Sequence, residues 1–240
     1  MSSNFNSEIV DEVNALRTNP KRYAIKILNY KKYFKGDVLR IPGAKAGIKK
    51  QEGPAAYTNA GEFLENQSRS ESLTPSKGLC KIAEELLRKI KDIDPSDLNS
   101  IDMESIITKY GTFSGNFSRA VDFGGETAEQ VLVNLVVGDG DPSKGKREAL
   151  LSTYLKKVGV ASGNHPTYGR CNIIVTCTNF ENTRDKDDKE DFGRYENRYN
   201  QNERNERSKN DMDNRGKYGG NYGGNYGGNY GGNYGGNYGG

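Results

Sequence analysis

The chain has 240 residues, 33% hydrophobic and 28% charged, with a formal net charge of +3. So small a balance gives no argument from bulk charge for recognition of nucleic acid or an anionic membrane. No run approaches the ~20 apolar residues that span a bilayer.

Apolar residues recur periodically from Phe5 to Phe180 and nearly vanish beyond, which predicts a domain over 1–180, a charged linker over 181–216 and a Tyr/Gly-rich tail over 217–240. Ile9, Val10, Val13 and Leu16 fall at helical spacing, with Asn6 or Ser7 as a cap. Pro20 starts a second helix at Lys21. Residues 29–53 are basic and broken by Pro42, Gly43 and Gly47, and read as a long irregular connection. A third helix is predicted over 55–67. A fourth over 76–93 carries the stripe Leu79, Ile82, Ala83, Leu86, Leu87 and Ile90. Residues 94–118 are polar and weakly patterned. A fifth helix over 127–137, a Gly-Asp-Gly-Asp-Pro turn and a short helix over 147–153 follow. Val158–Ser162 and Cys171–Thr178 read as strands joined by the 163–169 loop. Helices first and strands late predict an α+β domain.

The amino terminus lacks the apolar stretch of a secretory leader, so a cytoplasmic protein is expected, with secretion the lesser alternative. Cys171 and Cys177 share one predicted strand, too far apart to bond. Three thiols without a leader fit a reducing compartment, where the sequons at Asn66 and Asn116 go unused.

Residues 181–217 carry ten Lys/Arg and eleven Asp/Glu, a composition that predicts disorder. One KYGG and five NYGG units then place Tyr218, Tyr222, Tyr226, Tyr230, Tyr234 and Tyr238 four residues apart. Glycines forbid a packed core, and spaced aromatics act as weak multivalent stickers. The tail reads either as a flexible solubilising appendage or as a device for self-association or docking to an assembly. RNA stacking is the weakest reading, because Arg-Gly-Gly boxes and net positive charge are absent.

Five ordered motifs carry a family resemblance. They are Glu12-x-Asn14-x-x-Arg17-x-Asn19-Pro20-x-x-Tyr23-Ala24, Gln51–Ala56 with Phe63-Leu64, Leu73–Ala83, Tyr110–Gly115, and Gly138–Glu148 followed by Val158-Gly-Val-Ala and His165-Pro-Thr-Tyr168-Gly. Together they resemble the CAP superfamily (cysteine-rich secretory, antigen 5 and pathogenesis-related 1 proteins, the SCP domain). The resemblance implies a three-layer α-β-α sandwich with a cleft of two histidines and two acidic residues able to hold a divalent cation. Carried onto this chain, those positions fall at Leu86, Arg119, Gly138 and Lys146. All four ligands are replaced, two of them by cations, so no metal, no cofactor and no metal-dependent hydrolysis is expected.

Two readings of function follow. The first is a non-catalytic interaction module docked through its tail, with cytoskeleton or cilium as a setting. The second is a binder of anionic lipid or a small anion at a pocket of Arg119, Lys144, Lys146 and Arg147 with His165 and Tyr168 beside it. His165 reads as a structural residue bonded to backbone, the Asp139/Asp141 turn as held by its own side chains, and Cys80 and Cys177 as core residues.

Overall fold

The computed structural model describes residues 2–43, 46–91, 93 and 95–183. The linker and tail from residue 184 onward, with Tyr218, Tyr222, Tyr226, Tyr230, Tyr234 and Tyr238, lie outside the described residues.

Helix α1 (Ser2–Thr18) turns Ile9, Val10, Val13 and Leu16 inward. The Asn19 side chain accepts from Arg22 N at 3.3 Å to cap α2 (Pro20–Asn29), and Pro20 sits in the first turn, where no N–H is required. A 3₁₀ turn (Tyr30–Tyr33) then leads to a small antiparallel sheet of β1 (Phe34–Lys35), β2 (Val38–Leu39) and β3 (Ile48–Lys49). The connection predicted as irregular thus contains three strands. Each is two residues long, too short to leave a periodic pattern.

Helix α3 (Pro54–Glu65), β4 (Thr74–Pro75) and α4 (Lys77–Ile90) follow. The weakly patterned stretch holds a 3₁₀ segment (Pro95–Ser100), α5 (Met103–Tyr110), capped by Asp102 on Ser105 N at 3.1 Å, and much of the 13-residue strand β5 (Gly111–Phe123). Helices α6 (Ala128–Val137) and α7 (Gly145–Leu151) precede β6 (Lys157–His165) and β7 (Gly169–Asn182). The fold is α+β, with seven α-helices and two sheets among the described residues.

The larger sheet runs β4-β6-β7-β5, with β4 parallel to β6 and the other pairs antiparallel. Alternation assigns its faces. Ala161, Cys171, Ile173, Val175, Cys177 and Val121 form one core with Leu79, Ile82, Ala83, Leu86 and Ile90 of α4 and Ile106 and Ile107 of α5. On the opposite face Asp122 and Asn172 meet α6, while α1 packs against α6 and β6. Helices therefore cover both faces. Strand β7 runs to Asn182, past the domain edge expected at 180.

Candidate functional site

The loop after α6 is built from short-range and cross-chain bonds. Gly138 ends α6 in the left-handed conformation (φ 56°) that favours glycine there. The Asp139 carboxylate accepts from Gln51 N and Glu52 N, both at 2.8 Å. Asp141 accepts from the amide and hydroxyl of Ser143 at 3.0 and 2.7 Å. Lys144, itself at φ 49°, donates from Nζ to Glu52 at 2.6 Å and to the Gly138 carbonyl at 2.8 Å. The Lys144 bond, with the Gly140 amide behind it, holds the Glu52 carboxyl below its usual range. The turn is a clasp between the end of α6 and the segment that enters α3.

Arg147 is 2% exposed. Its guanidinium donates to the carbonyls of Val136 (2.6 Å) and Val137 (3.2 Å) and to Asn59 Oδ1 (3.0 Å), and lies 4.9 Å from the Phe63 ring centroid. It satisfies carbonyls at the end of α6 that have no partner within the helix. Arg17, fully buried, does the same elsewhere, donating to the carbonyls of Glu71, Leu150, Ser152 and Leu155. Burial lowers its pKa to about 10, which leaves it charged at neutral pH.

The structure does not bring the expected anion pocket together. Arg119 lies on the face of β5 that carries Val121 and Phe117, where it donates to Leu98 O at 2.6 Å and Asn99 Oδ1 at 3.2 Å. Lys144 and Arg147 point their donors at the acceptors above. Lys146 is exposed on α7 in the field of Asp141. Strand alternation explains the split: the odd-numbered residues of this part of β5 face α4 and α5, and the even-numbered Asp122 faces α6.

The four positions that the resemblance assigns to ligands do not fit a divalent cation either. Leu86 is fully buried in the α4 core, Arg119 is bonded to a carbonyl, Gly138 has no side chain, and Lys146 presents an ammonium. Among the described residues no group of three His, Cys, Asp or Glu side chains is placed to hold a metal ion.

His165 is 6% exposed, and its Nδ1 accepts from Thr167 N at 3.2 Å and Tyr168 N at 3.3 Å, closing the β6–β7 turn. Nδ1 is thus the nitrogen engaged with the backbone. Phe123 and the half-exposed Tyr168 pack on the imidazole with centroids 5.4 and 5.0 Å away. The three thiols are free, and burial pushes Cys80, Cys171 and Cys177 up to about 11, 12 and 11, far from the range of a nucleophilic thiolate.

Sequence reasoning missed a buried polar network. Asp122, 4% exposed, accepts from Asn134 (2.9 Å), Asn172 (2.9 Å) and Gly125 N (3.1 Å). Burial outweighs these bonds and raises the Asp122 carboxyl. Half-buried Lys50, itself lowered by burial, feels both Asp139 and Asp122. Asn172 inside the apolar run Cys171–Cys177 was the signal that could have found this network: a polar residue among apolar ones is buried only with partners. A separate open groove of about 660 Å³, bounded by Asn19–Lys21 and Glu65–Arg69, contains none of the predicted site residues.

Comparison of the chain with protein-family models, with curated proteins and with solved structures finds no match.

Proposed function

We propose that residues 1–183 form a degenerate CAP-like α-β-α domain acting as a non-catalytic protein-interaction module, with the tyrosine-rich tail providing self-association or docking to an assembly. One observation carries the reading. The motif residues that suggest the family serve to hold the fold, because Arg17 and Arg147 donate to backbone carbonyls and Lys144 clasps Glu52. Glu12 and Asn14 support it in the same way, accepting from Tyr23 and Lys26 and bonding both backbone groups of Leu73. With Lys144 and Arg147 engaged and Lys146 alone of the three exposed, the loop is a weak anion receptor, which favours the module over the anion binder. The tail supplies the contact, since six evenly spaced tyrosines on glycine spacers give multivalency without a packed core.

The test replaces Tyr218, Tyr222, Tyr226, Tyr230, Tyr234 and Tyr238 by serine in the full chain. Affinity capture is compared with the unaltered protein, alongside concentration-dependent light scattering. Loss of captured partners or of higher-order association is the expected result; identical behaviour of the two proteins refutes the tail's role.

A further inference from the structure

Strand β5 closes one side of the larger sheet, and no other described strand pairs with its outer edge. Half of a strand's N–H and C=O groups point away from its one partner, so such an edge is a template for another chain. Proteins usually blunt an edge of this kind with lysine, proline or a bulge. The first eight residues of β5, Gly111-Thr-Phe-Ser-Gly-Asn-Phe-Ser118, contain no charged residue and no proline, in a chain that is 28% charged, and of the three devices carry a bulge between Ser114 and Phe117. Thr112–Asn116 are exposed, and the ring of Phe113 (42% exposed) lies 5.1 Å from that of Phe117, tilted by 48°.

We infer that this edge is a homotypic interface at which β5 of one molecule pairs antiparallel with β5 of a second copy, joining two four-stranded sheets across a two-fold axis. Neutrality is what selects a second copy. In a two-fold strand pair each residue meets its own neighbourhood, so any charge there would face a like charge across the ladder. A foreign strand carries no such constraint and would favour complementary charges.

The geometry also limits the assembly to a dimer. At the other side the sheet ends in β4, two residues long and finishing on Pro75, which has no N–H to offer. Beyond β4, Gly159, Val160 and Ala161 of β6 are buried, and Gly159 lies against the backbone of α4. Among the described strands of this sheet only β5 offers such an edge, so pairing there closes on itself and leaves the larger sheet nothing to extend. The β5 bulge between Ser114 and Phe117, with Gly115 at φ 79°, bends the strand and shortens the ladder. The interface is therefore small, below ~1,200 Å², and the dimer is of the weak, concentration-dependent kind.

Because the tail is proposed above to associate by itself, the test uses the full chain with its six tail tyrosines replaced by serine. Sedimentation velocity from about 5 to 200 µM, a span suited to weak interfaces, should show a monomer–dimer equilibrium. Phe113→Lys and Ser114→Lys, each made on that background, should raise the dissociation constant by about tenfold or more. Tyr154→Lys, at a 68% exposed position elsewhere, should leave it unchanged. Hydrogen exchange on the protein with an unaltered β5 should slow at amides 112–118 as concentration rises, a readout that does not depend on any variant folding. A monomer throughout the range, lysine variants that dimerise like their parent, or exchange at 112–118 indifferent to concentration overturns the interface and leaves the tail reading intact. Capture of a foreign strand by a monomer also overturns it.

Discussion

Asp122 is the residue at which charge and burial conflict most directly. It keeps three hydrogen-bond donors at 2.9–3.1 Å, yet burial still raises its pKa. The folded protein therefore holds this proton to higher pH than the unfolded chain, where aspartate titrates near ~3.9. The stability linked to the proton is fully present below the unfolded value. It is lost as pH rises through the folded value and stays lost at neutral pH. Asp122→Asn is neutral throughout, and Asn134 can turn its amide to offer an oxygen. Subtracting the variant's unfolding free energy from the wild type's, by urea titration at steps from about pH 4 to 7, cancels the other carboxylates. The difference should fall with rising pH from the ordinary aspartate value upward. A flat difference would show that the network lowers Asp122 as much as burial raises it.

At the scale of elements, the Val158-Gly159-Val160-Ala161 run shows why a motif glycine is structural. A Cβ on Gly159 would stand 2.1 Å from the carbonyl carbon of Leu79 and 2.4 Å from Cys80 N, both backbone atoms of α4. Helix α4 packs that closely only over a residue without a side chain. Gly159→Ala should cost about 1–3 kcal/mol, because the helix must move. Gly145→Ala in the first turn of α7, whose new Cβ would come no closer than 3.4 Å to Ser143 Oγ, should gain about 0.4–1 kcal/mol. Denaturant midpoints of the two variants measure the contrast, and equal shifts would refute the close approach. The same packing explains what could be read from the chain. Leu79, Ile82, Ala83, Leu86 and Ile90 recur at helical spacing because one side of α4 meets the sheet. Strand β5 left no such trace in its first half, where residues 112–116 are exposed and its register is set by β7. The partners of the basic residues were hidden for a related reason. Spacing along the sequence shows that Arg119, Lys144 and Arg147 exist, but not which face of the sheet each occupies or which carbonyls engage them.

For the whole molecule, the described chain closes where its last strand meets elements far back in sequence. Asn182 Oδ1 accepts from Gly78 N at 2.8 Å and from Ser76 Oγ at 3.3 Å, so the end of β7 caps the start of α4. Thr183 then donates its amide to Tyr110 O at 3.0 Å and its hydroxyl to Lys109 O at 3.3 Å, fastening the end of α5. A sequence-based boundary at residue 180 misses this, because apolar periodicity stops at Phe180 while the hydrogen bonds continue for three residues. Ser76 sits at the cap position of α4, but no bond from its side chain to that helix's first amides is made; the cap is supplied by Asn182, 104 residues from Gly78. Losing a helix cap costs about 1 kcal/mol, which in a domain of this size lowers the melting temperature by about 2–4 °C. Asn182→Ala in the full chain should show that drop by calorimetry. Asn182→Asp, which keeps the accepting oxygen and places a negative charge at the helix start, should restore most of it. If Asn182→Ala melts with the wild type, the start of α4 does not depend on this distant cap.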